Sequence, residues 1–128
     1  MNLYRVGVKL FCDRGGEIPL VEFIPVFHRW IQTRAIEGLL IDVADYSHIP
    51  EGPGIVLVAH EGNLAVDEAR GRRGLLYYTK RPSSQSLDRL LSETTAHLAR
   101  AAAVLAADEE LAGRLTFSGS ELEVFSND

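Results

Sequence analysis

Four short apolar runs, set close together along the middle of the chain, limit its fold more than any other feature. They are Leu39–Ala44, Ile55–Ala59, Leu64–Val66 and Leu75–Lys80. Each has the length of a strand rather than a helix, and turn-forming residues separate them. The loop 45–54 contains Pro50 and the pair Pro53-Gly54, which suits the centre of a type II turn. Gly62 predicts a bulge or a tight bend. The Arg-Gly-Arg-Arg-Gly connection before Leu75 is too short for a crossover and demands an antiparallel hairpin. Runs 39–44 and 55–59 are apolar on both faces apart from Asp42, as central strands are.

The flanks supply the helices. Partial alternation over Leu3–Phe11 predicts a first strand, closed by Asp13-Arg14-Gly15-Gly16. In Leu20–Gln32, residues Phe23, Ile24, Phe27, Trp30 and Ile31 follow a helical period, with Pro25 in the first turns or opening the helix. In the second helix Leu87, Leu90, Leu91, Thr94, Leu98, Ala101, Ala102 and Leu105 form one stripe. Ser84 or Ser86 can cap it, Asp88 suits the positive end of its dipole, and Gly113 terminates it. Leu115–Ser118 and Glu121–Phe125 predict a last hairpin around Gly119. The order is then β-α-β-β-β-β-α-β-β over a single domain, residues 1–128. This is an α+β fold: a mostly antiparallel sheet with two helices packed on one face.

At 46% hydrophobic residues, a chain of 128 has one proper core and is not disordered. Nothing reads as a membrane span, because the apolar run Leu98–Ala107 is short and broken by Arg100. Arg5 and Lys9 inside the first apolar run argue against a secretion signal. Cys12 is the only cysteine, so no intramolecular disulfide can form, and a reducing cytoplasm is the expected setting. A net charge of −5 argues against nucleic acid as the partner. One stretch runs the other way: Arg70, Arg72, Arg73, Lys80 and Arg81 lie between residues 69 and 81 with no acid among them. It reads as a solvated hairpin whose charges discourage edge pairing, or as a local site for an anion or an acidic partner.

The stretch Leu39–Glu68 holds two of the four histidines and the acids Asp42, Asp45, Glu51, Glu61, Asp67 and Glu68. From it come the catalytic candidates Asp42, Asp45, His48, His60 and Glu61, which converge at one sheet end if their strands are suitably paired. His48 and His60 with carboxylates would suit a divalent metal such as zinc or manganese. Without metal, a histidine beside a carboxylate is a general base. The competing structural expectation has Asp45 forming a local turn with the backbone two residues on, and Asp42 satisfied by Arg34 or His60. Cys12 reads as a small buried hydrophobe, Trp30 as a core anchor, His28 as a core-edge group and His97 as an exposed helix flank. Only one of Tyr77 and Tyr78 can face the core. Several motifs are absent. His60-Glu61 is followed by Leu64 rather than a second zinc-binding histidine, and no phosphate loop, dinucleotide fingerprint or nucleophile elbow occurs.

The leading expectation is a small cytoplasmic ligand-binding or protein-interaction module, non-catalytic and homodimeric through the edge of its last strand. A small or anionic ligand would lie between the 45–54 loop, with Tyr46, and the basic hairpin, with Arg72 and Arg73. The second expectation is a small metal-assisted or His/Asp acid–base enzyme, of hydrolase or lyase type, with its site in the 42–61 segment.

Overall fold

The computed structural model describes residues 5–127; Leu3 and Tyr4, the expected start of the first strand, lie outside them. Six strands and two helices run β1 (Arg5–Arg14), α1 (Phe23–Thr33), β2 (Leu40–Tyr46), β3 (Gly54–Ala59), β4 (Gly62–Asp67), β5 (Gly74–Thr79), α2 (Leu87–Ala106) and β6 (Thr116–Asn127). The strands form one sheet of order β2-β3-β4-β5-β1-β6, antiparallel throughout. β2 to β5 are a meander, because each connection is a short turn. β1 enters between β5 and the last strand, so its pairing joins the two ends of the described chain.

Both helices lie on the same face, α1 against β2 and β3, α2 against β1 and β5. Their stripes meet the inward residues of the sheet in one core: Phe23, Phe27 and Trp30 of α1, Leu98 and Leu105 of α2, and Val8, Leu57, Leu64 and Leu75 beneath. Trp30 meets Phe27 edge-on with centroids 5.3 Å apart. Pro25 falls in the first turn of α1, where its missing N–H has no intrahelical partner to lose. Ser86 caps α2 by accepting the Arg89 N–H at 3.2 Å.

One expected element is different. Leu115–Ser118 and Glu121–Phe125 do not fold back on each other; from Thr116 on, both stretches belong to the single strand β6, which pairs with β1. Leu10 stands opposite Leu122 and Cys12 opposite Phe117, so residues 118–121 bulge out against Phe11. Gly119 therefore lies in a bulge rather than a turn, and the order is β-α-β-β-β-β-α-β. The turn expected at Gly62 falls two residues earlier, at His60-Glu61, and Gly62 opens β4.

The face away from the helices has a different cover. Lys9, 1% exposed, lies flat across the sheet and donates to Asp67 at 2.7 Å and to the Arg72 carbonyl at 2.7 Å. Its path crosses Gly74, where a Cβ would stand 2.7 Å from the Lys9 Cε and 2.5 Å from the Leu10 carbonyl oxygen. Phe11 is buried beneath the Arg72 guanidinium, 3.8 Å from the ring centroid.

Removing one partner of a buried pair leaves an uncompensated charge, at a cost of about 3–5 kcal/mol. Lys9→Met should lower the unfolding free energy by about that much in urea titrations. Adding Asp67→Asn, which keeps an acceptor for the Ala69 N–H, should recover part of the loss. Wild-type stability in Lys9→Met would show that the pair contributes nothing.

Candidate functional site

The histidine–carboxylate set in the 42–61 segment does not come together. β2 and β3 are paired through a turn at 47–53, which leaves Asp45 and His48 at one end of the sheet. His60 and Glu61 sit at the other end of β3, and about 3.3 Å of rise per residue places the two groups about 17 Å apart along the strand. Asp45 accepts the Ser47 N–H at 2.8 Å in a local turn, and hydrogen bonding from the Ser47 side chain, aided by that backbone bond, holds its carboxyl below the usual range. Asp42 accepts its neighbour Val43's N–H at 2.8 Å and stands exposed beside a bulge, so neither Arg34 nor His60 is needed. His60 and Glu61 meet each other at 3.6 Å on the surface. No group of three or more His, Cys, Asp or Glu side chains among the described residues is arranged to hold a metal ion, so His48 and His60 are not joint ligands.

The basic stretch does come near the 45–54 loop, since the Glu68 N–H donates to the Gly52 carbonyl at 3.0 Å. Its arginines, however, are engaged within the chain. Arg73 is buried and donates to the Gly15 and Ile18 carbonyls at 2.8 and 2.6 Å and to Glu68 at 2.8 Å. Arg72 forms a two-pronged pair with Glu121 while covering Phe11, and Arg70 pairs with Glu123. The acidic partner foreseen for this hairpin is the chain's own last strand. Tyr46 is exposed on β2.

A different site opens on the helix side. α1 sits over β2 and β3, α2 over β1 and β5, and above β4 between them lies a chamber of about 190 Å3. Its walls are Ile36, Leu40, Leu57, Ala59 and Leu64, and its inner end is closed by Tyr77 of β5 and His97 of α2. Beyond that pair runs an open polar trough of about 560 Å3, bounded by Thr79, Arg81, Ser83, Ser84, Glu93 and Thr94. Glu61, Tyr77 and His97 line both compartments. The two rings meet edge-on with centroids 4.6 Å apart. Gly62 is required at the wall, because a Cβ there would stand 2.6 Å from the Tyr77 Oη and 2.5 Å from the Tyr78 carbonyl.

The chemistry of these groups follows from their half-burial. Burial lowers the His97 imidazole pKa from its ordinary 6.5; the charge of Arg100 adds to this and Glu37 opposes it. Burial raises the Tyr77 phenol, as does the charge of Glu61. At neutral pH the cleft therefore presents a neutral imidazole and a protonated phenol, each able to donate and accept one hydrogen bond. Of the remaining charges, Glu93 pairs with Arg89 at 3.1 Å and Glu37 with Arg100 at 3.9 Å. Arg81 has no ion-pair partner among the described residues. Cys12 lies away from the cleft, and burial pushes its thiol up to about 11, which makes it inert.

His97 was expected on an exposed flank and is the main residue that sequence reasoning missed. The available signal was its position beside Leu98 and three residues after Thr94, at the border of the buried stripe. Tyr77 was legible only as one of two adjacent rings on opposite faces.

The unfolded chain protonates His97 near pH 6.5 and the folded chain only at lower pH. The stability that goes with neutral His97 is thus fully present above that value and is lost as the pH falls through the folded pKa. His97→Gln should flatten the pH dependence of unfolding just below pH 6.5, and an NMR titration of the ring should find its midpoint below 6.5. A midpoint at or above that value would contradict the burial. Arg73→Ala, which strands two carbonyls, should cost about 2–3 kcal/mol in the same assay, against about 0–1 for Arg72→Ala.

No family model matches this chain, nor does a curated protein or a solved structure, so the cleft is read from its own geometry.

Proposed function

We propose that the protein is a small-molecule-binding domain whose ligand seats an apolar ring in the chamber and a carboxylate or similar anionic head in the trough. The observation that carries this reading is the joining of an apolar chamber to a polar trough across the Tyr77–His97 pair. Apolar walls with a few convergent polar groups are the usual make-up of a ligand site, and the two compartments together fall within the roughly 300–1,000 Å3 such sites occupy. An anionic head is favoured because Glu37 and Glu93 face arginines of their own and Glu61 faces His60 at 3.6 Å, while Arg81 stands at the trough with no ion-pair partner among the described residues.

The small or anionic ligand expected from the sequence is retained, and its site moves from Arg72 and Arg73 to the helix side of the sheet. The acid–base enzyme reading has less support, because Asp45 and His48 lie at one end of β3 and only Asp42, His60 and Glu61 lie toward the other. No helix is long and apolar enough to cross a membrane. A cytoplasmic setting, suited to a single inert thiol, and a two-copy assembly belong to the same proposal.

The test uses 3-phenylpropionate, with phenethylamine as its cationic counterpart. The acid should shift the NMR signals of His97 and Tyr77. Its affinity should fall at least about tenfold in Arg81→Ala, a loss of about 1.4 kcal/mol, and likewise in Ala59→Phe, which fills the chamber from the sheet side. Tighter binding of the amine would reverse the head-group assignment and place Glu61 in the role given to Arg81. Signals of His97 and Tyr77 unmoved by either probe would overturn the reading.

A further inference from the structure

We propose that the cleft selects a ligand with a hydroxyl on the first carbon beyond its apolar ring, recognised by Thr94 together with Tyr77 and His97. Resting on the binding reading of the cleft, this narrows its occupant to ring-bearing 3-hydroxy acids.

Thr94 lies three residues before His97 on α2 and lines the trough, so the two side chains share one face of the helix. Thr94 is 4% exposed and His97 and Tyr77 are half-buried. Yet the Thr94 hydroxyl, the Tyr77 phenol and the His97 imidazole make no hydrogen bond to any described residue. A helical threonine withdrawn from water can return its hydroxyl to the carbonyl four residues earlier, as Thr33 does to Arg29 at 2.9 Å. Thr94 makes no such bond. Other hydroxyls of the trough are engaged: Thr79 accepts the Val6 N–H at 2.9 Å and Ser83 the Gln85 N–H at 3.2 Å. Ser84 and Gln85 stand exposed to water. On the buried walls, unmet hydrogen-bonding capacity is therefore gathered where chamber and trough join.

That position sets where a polar atom of the ligand falls. Tyr77 and His97 line both compartments, so a chain leaving a ring seated in the chamber passes between them. The bare backbone of Gly62 lets the phenol oxygen lie against this wall. The first carbon beyond the ring then stands beside the pair, with Thr94 on the trough side. A methylene there would strip water from three polar groups and offer nothing in return. A hydroxyl both donates and accepts, as do a phenol, a neutral imidazole and a threonine hydroxyl, so it can pair with them. A carbonyl only accepts and meets fewer of them. A site built around a ligand hydroxyl discriminates strongly against the analogue that lacks it.

NMR titrations of the intact chain compare 3-phenylpropionate with each enantiomer of 3-hydroxy-3-phenylpropionate and with 3-oxo-3-phenylpropionate. The better hydroxy enantiomer should bind at least about tenfold more tightly than 3-phenylpropionate. Thr94→Val, which keeps the side-chain shape, should cut that ratio to about threefold or less, and Thr94→Ser should recover it. Tyr77→Phe should also reduce it. Each ratio is taken within one variant, so a general loss of packing cancels. Binding of 3-phenylpropionate with no gain from either hydroxy enantiomer would overturn this inference and leave the binding reading standing. An undiminished ratio in Thr94→Val would overturn the role of Thr94. Tightest binding of the oxo acid would overturn the choice of a hydroxyl. Signals of His97 and Tyr77 unmoved by every acid would overturn the inference and the binding reading together.

Discussion

The ion pair of Lys9 with Asp67 organises one whole face of this protein. It links β1 to β4 across the intervening β5, and it can do so only because Gly74 leaves the surface of β5 bare beneath the lysine stem. Asp67 also accepts the Ala69 N–H, and Lys9 also holds the Arg72 carbonyl. The connection from β4 to β5 is thereby fixed at both ends. That placement lets Arg70 and Arg72 reach the acids of β6 and lets Arg73 turn inward to the carbonyls after β1. A charge taken out of water is stable only when its hydrogen-bonding capacity is met, and here the requirement sets the course of a loop.

The other face is organised by apolar burial, and the cleft is its consequence. Two helices of different length, 11 and 20 residues, cover six strands, each over its own pair of neighbours, and the space above β4 is left to side chains. Leu64 forms its floor, while Tyr77 and His97 close it from opposite layers. A histidine and a tyrosine suit that position because each offers an apolar ring to the core and a polar atom to the trough. The unequal shifts of their pKa values follow from the same half-burial.

Much of the architecture was legible because it rests on local periodicity. The stripe of α2, the Ser86 cap and the four central strands needed no knowledge of what they pack against. The readings that changed concern residues whose partners are remote in sequence. Leu115–Phe125 resembles a hairpin locally, but each half finds a better partner in β1, more than 100 residues away, and the glycine between them lies in a bulge. Arg72 and Arg73 have the composition of an anion site, yet their partners, Glu121 and the carbonyls of Gly15 and Ile18, lie about 50 residues away on either side. The histidines and acids of residues 42–61 are close in sequence, and a two-strand hairpin sends Asp45 and His48 to one end and Asp42, His60 and Glu61 toward the other.

The sequence by itself determined the class of this protein: antiparallel strands too closely spaced for crossovers, two amphipathic helices, and one core for them to share. Those features depend on side-chain period and turn chemistry, which act over a few residues. Only the tertiary structure decided the order of the strands, the burial of Lys9, the pairing of Tyr77 with His97 and the open edge at β6. Each of these depends on which distant segments meet, and that is settled by the joint burial of apolar surface and the satisfaction of charges across the whole sheet rather than within any one element.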